Sequence, residues 1–139
     1  MIDYLKKLLK NVFDNKFIIS TTYYPSADKM AVMCLGKNDN EYYGTVKKFR
    51  EDGTLEFSGQ FYAGKMEGIY KEYYDSGKIL KESHFSNDKE NGEEKIYYEN
   101  GKISSIKNYK NGLEEGEFIW YYEDGKIKEK AFYKNGVKQ

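Results

Sequence analysis

Residues 116–139 read GEFIWYYEDGKIKEKAFYKNGVKQ, and this stretch decides the fold because most of it recurs upstream at one fixed spacing. Copies shifted by 24 residues each begin at Gly92, Gly68 and Gly44, and the four copies adjoin without a gap. A fixed period of about 20 to 50 residues is typical of repeat arrays, in which each unit buries its apolar face against its neighbours. The sequence therefore predicts architecture far better than it predicts function.

Each copy contains two turn signals that separate two short strands. Counted from the first glycine of a copy, positions 2–8 and 12–18 have strand character, and position 10 is always glycine. Asp-Gly and Asn-Gly favour two-residue primed turns, so we expect positions 9 and 10 to form the turn and position 7 to pair with position 12. A second turn follows at positions 20 and 21. Alternating reversals without a crossover segment predict an antiparallel meander.

Three classes of side chain recur at fixed positions of the repeat. Position 6 is aromatic, position 12 aliphatic and position 18 aromatic in every copy, and position 7 is tyrosine in the last three. We expect positions 12 and 18 to form the core, with positions 7 and 12 on one face of the sheet and position 6 on the other.

Aromatic side chains that this thin sheet leaves exposed are candidate anchors for a partner protein, because a single layer cannot cover both of its faces. A large amphipathic ring supplies much contact area at little cost in rotamer entropy, which makes Trp120 the best single candidate. The candidate partner-binding residues are Tyr73, Tyr74, Tyr97, Tyr98, Trp120, Tyr121 and Tyr122.

Residues 1–43 precede the four copies and have a different pattern. Apolar residues within 2–13 recur at helical spacing, with lysines elsewhere on the wheel, which predicts a short amphipathic helix in residues 1–16. We interpret this helix as a cap on the sheet, with contact to a membrane surface or a partner as the alternative. Residues 17–43 predict a degenerate hairpin, because two β-type runs flank a polar turn that contains Pro25. The chain is thus predicted to be one domain, 1–139, whose repeats are 44–67, 68–91, 92–115 and 116–139.

Composition and charge limit the partners and the compartment. Basic and acidic residues both number 23, and the four repeats carry charges of 0, −1, −1 and +1, so we expect no nucleic acid partner. The single cysteine, Cys34, excludes an internal disulfide framework and favours a reducing compartment. The N-terminus lacks the pattern of a signal peptide, and no stretch has the length of a membrane span. We therefore expect a soluble cytoplasmic protein.

Patterns for catalysis or metal binding are weak. His84 is the only histidine and lies at a variable strand position, while Cys34 lies in an apolar run typical of a buried thiol, so the two do not indicate a nucleophile pair. One histidine and one cysteine do not supply a zinc site. Residues 87–92 resemble the start of a calcium loop, but Lys89 takes a ligand position and Tyr98 the closing position. We predict that the protein is not an enzyme and has no metal and no cofactor.

The repeated residues resemble the MORN repeat variant that is common in bacterial proteins. The shared pattern is G-x-x-x-x-Y-Y-x-x-G-K, an aliphatic residue and then Y-x-N-G, and it covers residues 44–139. The first repeat departs from it at Phe49-Arg50 and the second at Asn87-Asp88. The match is carried most fully by Gly116, Tyr121, Tyr122, Gly125, Lys126, Ile127, Tyr133, Asn135 and Gly136.

The resemblance implies an elongated, open antiparallel sheet. Bacterial members are often labelled as YwqK-family antitoxins, and eukaryotic relatives are linked to membrane association and protein assembly. We therefore predict an all-β, elongated open antiparallel meander of 24-residue hairpin repeats, with a short N-terminal amphipathic helix as its cap.

The predicted function is non-catalytic binding of another protein, such as a toxin or a host enzyme. An antitoxin, immunity protein or inhibitor from a bacterium or phage would mask this partner with an aromatic face of its sheet. Two alternatives stay open. One is a scaffold or self-assembly module that forms a homodimer through sheet edges or aromatic faces, and the other is membrane association through residues 2–13.

Overall fold

The computed structural model describes residues 17–23, 29–38 and 41–139, and it describes side chains from Tyr43 onward. Strands are the only regular secondary structure in these ranges, which confirms the all-β prediction. The predicted helix in residues 1–16 lies outside the described residues. The strands are β1 (Phe17–Tyr23), β2 (Lys29–Asn38), β3 (Glu41–Phe49), β4 (Leu55–Tyr62), β5 (Lys65–Tyr73), β6 (Ile79–Ser86), β7 (Lys89–Glu90), β8 (Gly92–Tyr97), β9 (Ile103–Lys110), β10 (Leu113–Glu114), β11 (Gly116–Tyr121), β12 (Ile127–Lys134) and β13 (Val137–Lys138).

The thirteen strands form one open antiparallel sheet, as predicted. The order is β1-β2-β3-β4-β5-β6-β8-β9-β11-β12-β13, while β7 pairs with β6 and β10 pairs with β9. Among the described strands, β1 pairs only with β2, and β12 pairs with β11 and with the short β13. These strands are the two ends of the meander.

The turn inside each hairpin is longer than the predicted two-residue turn. In the second repeat, Tyr74 N donates to Lys78 O at 2.8 Å and Gly77 N donates to Tyr74 O at 2.9 Å. Within this turn only Gly77 has positive φ, at 80°, whereas the type I′ turn that Asn-Gly and Asp-Gly favour needs positive φ at both central residues. The extra turn residue shifts the register, so that position 6 pairs with position 12, as Tyr73 does with Ile79. The predicted pairing of position 7 with position 12 was wrong.

The residue at position 9, before the turn glycine, was predicted to be a central residue of a primed turn, but its side chain has another role. The side chains of Asp52, Asn100 and Asp124 at position 9 each accept a hydrogen bond from the backbone N–H two residues later, at 2.9 Å. This local bond fixes the turn without positive φ at position 9. The primed geometry is found at the second turn instead, where Asn111 and Gly112 have φ of 53° and 83°.

The register assigns the repeat positions to two faces of the sheet. In the third repeat Ile96 pairs with Ser105, and Tyr97 pairs with Ile103. Because successive residues of a strand point to opposite faces, positions 3, 5, 14, 16 and 18 share one face, which we call the core face. Positions 4, 6, 12, 15 and 17 share the other, which we call the tyrosine face. The prediction that position 6 faces away from position 12 was therefore wrong.

The apolar core is centred on the core face. Position 3 supplies Val46 and Phe118, which are 0% and 1% exposed. At position 18, where we expected the core, Phe61 is buried and the three later aromatic residues are half-buried. At position 12 the aliphatic side chains are half-buried, except that Ile127 is 53% exposed. The buried apolar residues are Val46, Phe57, Phe61, Met66, Tyr70, Phe118 and Ala131.

Candidate protein-binding surface

The tyrosines at position 7 connect each repeat to the next. Tyr74 Oη donates to the backbone oxygen of Tyr97, and Tyr98 Oη donates to that of Tyr121, both at 2.6 Å. In the first repeat Arg50 replaces this tyrosine, and its guanidinium donates to the backbone oxygen of Tyr73 at 2.6 Å. We call this series the position-7 ladder. Tyr74 and Tyr98 therefore use their hydroxyls inside the protein and are not free to offer them to a partner.

Replacing Tyr98 with phenylalanine is expected to lower the free energy of unfolding by about 1 kcal/mol, because the ring stays and one hydrogen bond between repeats is lost. Tyr122 is the matched control, since it occupies position 7 of the last repeat and its hydroxyl makes no hydrogen bond to a described residue. Tyr122→Phe should change the stability by about 0.5 kcal/mol or less. Urea denaturation of both variants measures the difference, and equal effects would contradict a structural role for the ladder.

The tyrosines at position 6 lie on the tyrosine face. Tyr97 Oη donates to Glu82 Oε2 at 2.8 Å, and the Tyr73 hydroxyl lies 3.5 Å from Ser58 Oγ. Burial, followed by the hydrogen bond to Glu82, raises the pKa of Tyr97 to about 12. Tyr121 faces the aliphatic Ile106 at the equivalent place, so its hydroxyl has no hydrogen-bond partner among the described residues. Of the three, Tyr121 keeps its polar tip available.

Trp120 lies on the face opposite to Tyr121. Its ring centroid is 6.0 Å from that of Phe118, and its backbone pairs with Glu129 on one side and Ser105 on the other. The side chain is half-buried. The structure thus does not bring the seven candidate residues together: three lie on the tyrosine face, two are used in the position-7 ladder, Trp120 packs on the core face and Tyr122 lies beside the last turn.

Apolar side chains are concentrated on the tyrosine face of the last repeat. Ile127 and Phe132 are each 53% exposed, and Ile119 and Tyr121 lie beside them on the same face. Ile119 pairs with Ile106 of the preceding repeat, which extends the apolar surface across the junction. We call Ile119, Tyr121, Ile127 and Phe132 the last-repeat patch. Sequence reasoning missed Phe132, whose position 17 holds Gln60, His84 and Asn108 in the other repeats.

A buried carboxylate interrupts the core face in the third repeat. Glu94, at position 3, is 5% exposed and lies 3.5 Å from Lys81 Nζ and 3.4 Å from Lys107 Nζ. Ser83 Oγ donates to the same carboxylate at 3.4 Å. Burial, and then the charge of Glu94, raise the pKa of the nearby Glu90 carboxyl. Because its neighbours already pair with it, Glu94 is a structural ion and not an open binding site.

No group of three or more His, Cys, Asp or Glu side chains in the described part of the chain could hold a metal ion. No helix long and apolar enough to cross a membrane occurs among the same residues.

The repeated hairpins and their surfaces define a β-hairpin repeat protein. The MORN repeat variant model matches residues 66–87, 90–111 and 114–135. These three segments are similar to MORN repeat variants, while most of the first repeat, 44–67, lies outside the match. MORN repeats generally mediate interactions with proteins or membranes.

The solved structures that align with this chain belong to much longer chains. A GtfA/B complex aligns with a TM-score of 0.43 and 13% identity, over 88% of this chain and 22% of the other. TarM aligns with a TM-score of 0.34 and 14% identity, and a mutant of S. aureus TarM in complex with Fondaparinux, alpha-GlcNAc-glycerol and UDP with 0.35 and 14%. Both alignments cover 96% of this chain and 27% of the other, so this chain spans about a quarter of the length of these proteins. No curated protein matches the chain in sequence.

Proposed function

We propose that this chain is a non-catalytic binding protein that covers a partner protein with its tyrosine face, as an antitoxin, immunity protein or inhibitor does. The last-repeat patch carries this proposal. It combines two aliphatic side chains, a phenylalanine and a tyrosine with an unused hydroxyl on one face of one hairpin. The proposed partner is a toxin or a host enzyme, which agrees with the antitoxin label that is common among bacterial proteins with similar repeats.

The patch has the properties of an interface centre. Aromatic side chains are enriched at binding hot spots, and the surrounding polar rim excludes water from them. Lys130 and Glu117 lie within the patch, where Lys130 pairs with Ile119 and Glu117 with Phe132 across the hairpin. The two charged groups are 2.9 Å apart. Both side chains are about half exposed, so this pair contributes little to stability and can rearrange on contact with a partner.

As part of the same proposal, we infer that the protein is not an enzyme. Two carboxylates of the sheet already have structural partners: Glu94 pairs with two lysines, and Glu82 pairs with Lys71 and Tyr97. The hydrogen bond from Lys71 is the largest cause that lowers the pKa of Glu82. Neither carboxylate is poised as a general base, which would need a pKa near the working pH and an open approach.

The experiment compares binding by two double variants with equal chemistry. Ile127→Lys with Phe132→Lys places two charges in the last-repeat patch, while Leu113→Lys with Val137→Lys replaces equally exposed apolar residues at the second turns. A stoichiometric protein partner, recovered from the native host with the wild-type chain, is purified and titrated against all three. We expect the patch variant to bind at least tenfold more weakly and the control to bind normally. Recovery of no stoichiometric partner, or equal binding by both variants, would refute the proposal.

A second candidate function is self-assembly, in which the last-repeat patches of two copies cover each other. The exposure of Ile127 and Phe132 favours it, because apolar contacts of this kind can be self-complementary. Sedimentation over a wide range of concentrations tests it. A dimer that the patch variant abolishes would support self-assembly, and a monomer throughout would remove it.

A further inference from the structure

We propose that the free edge of β12 is a docking site for a β-strand of another protein that carries carboxylates along its pairing edge. This goes beyond the proposed function, because the contact uses the edge of the sheet and not the tyrosine face. The earlier repeats bind their successors through a recurring set of groups, and the last repeat presents the same set along β12 and its second turn.

The two later junctions contain a narrow backbone pairing, whereas β4 and β5 pair through five residues at the first. Strand β6 pairs with β8 through two residues, Lys81 with Ile96 and Glu82 with Lys95, whereas the hairpin of β8 and β9 pairs through six. Strand β9 pairs with β11 in the same way, at positions 14 and 15. In the last repeat these positions are Glu129 and Lys130 on β12. No described strand pairs with β12 at either residue on the side away from β11.

The second turns supply another contact that recurs at every junction. Asp88 N donates to Met66 O at 3.1 Å, and Gly112 N donates to Glu90 O at 2.8 Å. Gly136 N donates to Glu114 O at 2.9 Å in the same manner. Each repeat thus offers the carbonyl at position 23 to the turn of its successor. Lys138 holds this position in the last repeat.

A side chain at position 24 completes the same junction. Asn91 Oδ1 accepts from Asn111 N at 3.1 Å, and Glu115 Oε2 accepts from Asn135 N at 2.8 Å. Gln139 holds this position in the last repeat and has an amide oxygen of the same kind. Together with the hydroxyl of Tyr122 from the position-7 ladder, the last repeat presents each group with which the earlier repeats bind a successor.

Charge selects the occupant of this edge. At the two later junctions, position 15 faces a matching residue at position 4: Glu82 faces Lys95, and Ile106 faces Ile119. At the first junction Ser58 faces Lys71. Lys130 at position 15 of the last repeat pairs with Glu117 at 2.9 Å, but both side chains are about half exposed, so its ammonium can also contact a carboxylate across the edge. Residues 122–139 contain five lysines against three carboxylates, and the pairs they form are about half exposed or more. Two copies paired through β12 would bring these lysines together, which disfavours a second copy and favours an acidic strand.

The probe is a synthetic strand peptide of alternating valine and glutamate, with a valine–lysine peptide of equal length for comparison. Binding to the wild-type chain is followed by amide chemical shifts, by hydrogen exchange of β12 and by the effect of salt. We expect the acidic peptide to slow exchange at residues 127–131 and to bind at least tenfold more tightly than the basic one, with an affinity that falls as salt rises.

Two charge-reversal variants locate the contact. Lys128→Glu with Lys130→Glu should weaken binding of the acidic peptide at least tenfold, whereas Lys102→Glu with Lys110→Glu, which makes the same change on exposed residues of the third repeat, should leave it unchanged. Equal loss in both variants would reduce the effect to overall charge and overturn the proposal. The proposal would also be overturned if neither peptide bound, if both peptides bound equally well, or if the chemical shift changes were confined to the last-repeat patch. Ile127→Gln with Phe132→Gln separates the two proposals, because it removes the apolar side chains of the patch without changing the charge of β12, and only the proposed function needs that patch.

Discussion

Replacing Phe118 with alanine is expected to lower the free energy of unfolding by about 3 to 5 kcal/mol. Phe118 is 1% exposed, and its ring centroid lies 4.5 Å from that of Tyr133 and 5.8 Å from that of Tyr109. A thin sheet has few other side chains that can move into the space of the lost ring, so the cavity should persist. The fluorescence of Trp120, the only tryptophan, follows urea denaturation next to the altered site.

Phe132→Ala is the matched control for this prediction, because it makes the same chemical change on the same hairpin. Phe132 is 53% exposed on the tyrosine face, so its loss should change the stability by about 0.5 kcal/mol or less. If the two variants were equally stable, Phe118 would not be part of a core, and the assignment of the two faces would be wrong.

The second large effect is expected at the buried carboxylate. Glu94→Ala should lower the free energy of unfolding by about 2 to 4 kcal/mol, because it leaves the ammonium groups of Lys81 and Lys107 without their shared partner. The value is lower than for a fully buried pair, since both lysine side chains are about a quarter exposed and reach water.

The neighbouring Glu93 is the control for the Glu94 prediction. Glu93 pairs with Lys95 at 2.6 Å, but both side chains are more than a third exposed, so Glu93→Ala should cost about 1 kcal/mol or less. Glu94→Gln adds a direct readout, because the charge of Glu94 contributes to the raised pKa of Glu90. A nuclear magnetic resonance titration should show a lower pKa of Glu90 in Glu94→Gln. If the pKa of Glu90 stayed unchanged in Glu94→Gln and Glu94→Ala lost little stability, the cluster of Glu94 and its two lysines would have no structural role.

The repeat period and the turn residues predicted the strands and their antiparallel order, because hairpin turns leave few other connections. The register was predicted incorrectly by one position. Asp-Gly and Asn-Gly are compatible both with a two-residue primed turn and with a longer turn that ends in a glycine bulge, and only the backbone hydrogen bonds separate these two. The face assignments that depended on the register failed with it.

The core was harder to predict than the fold. Position 3 is occupied in order by Val46, Tyr70, Glu94 and Phe118, so no residue type recurs there, although all four are buried. A search for recurring residue types finds positions 6, 12 and 18 and passes over position 3. The roles of Tyr74 and Tyr98 were missed for a related reason, because their bonds join residues 23 apart in neighbouring repeats.

The uniform junction between repeats has a consequence for the length of the molecule. Since a tyrosine hydroxyl, a turn amide and two paired residues join the later units in the same way, another 24-residue unit could be inserted between two of them with both joints kept. Each insertion would add two strands, or about 10 Å, across the sheet. Duplication or loss of whole units would thus change the distance between the two ends of such a protein in fixed steps.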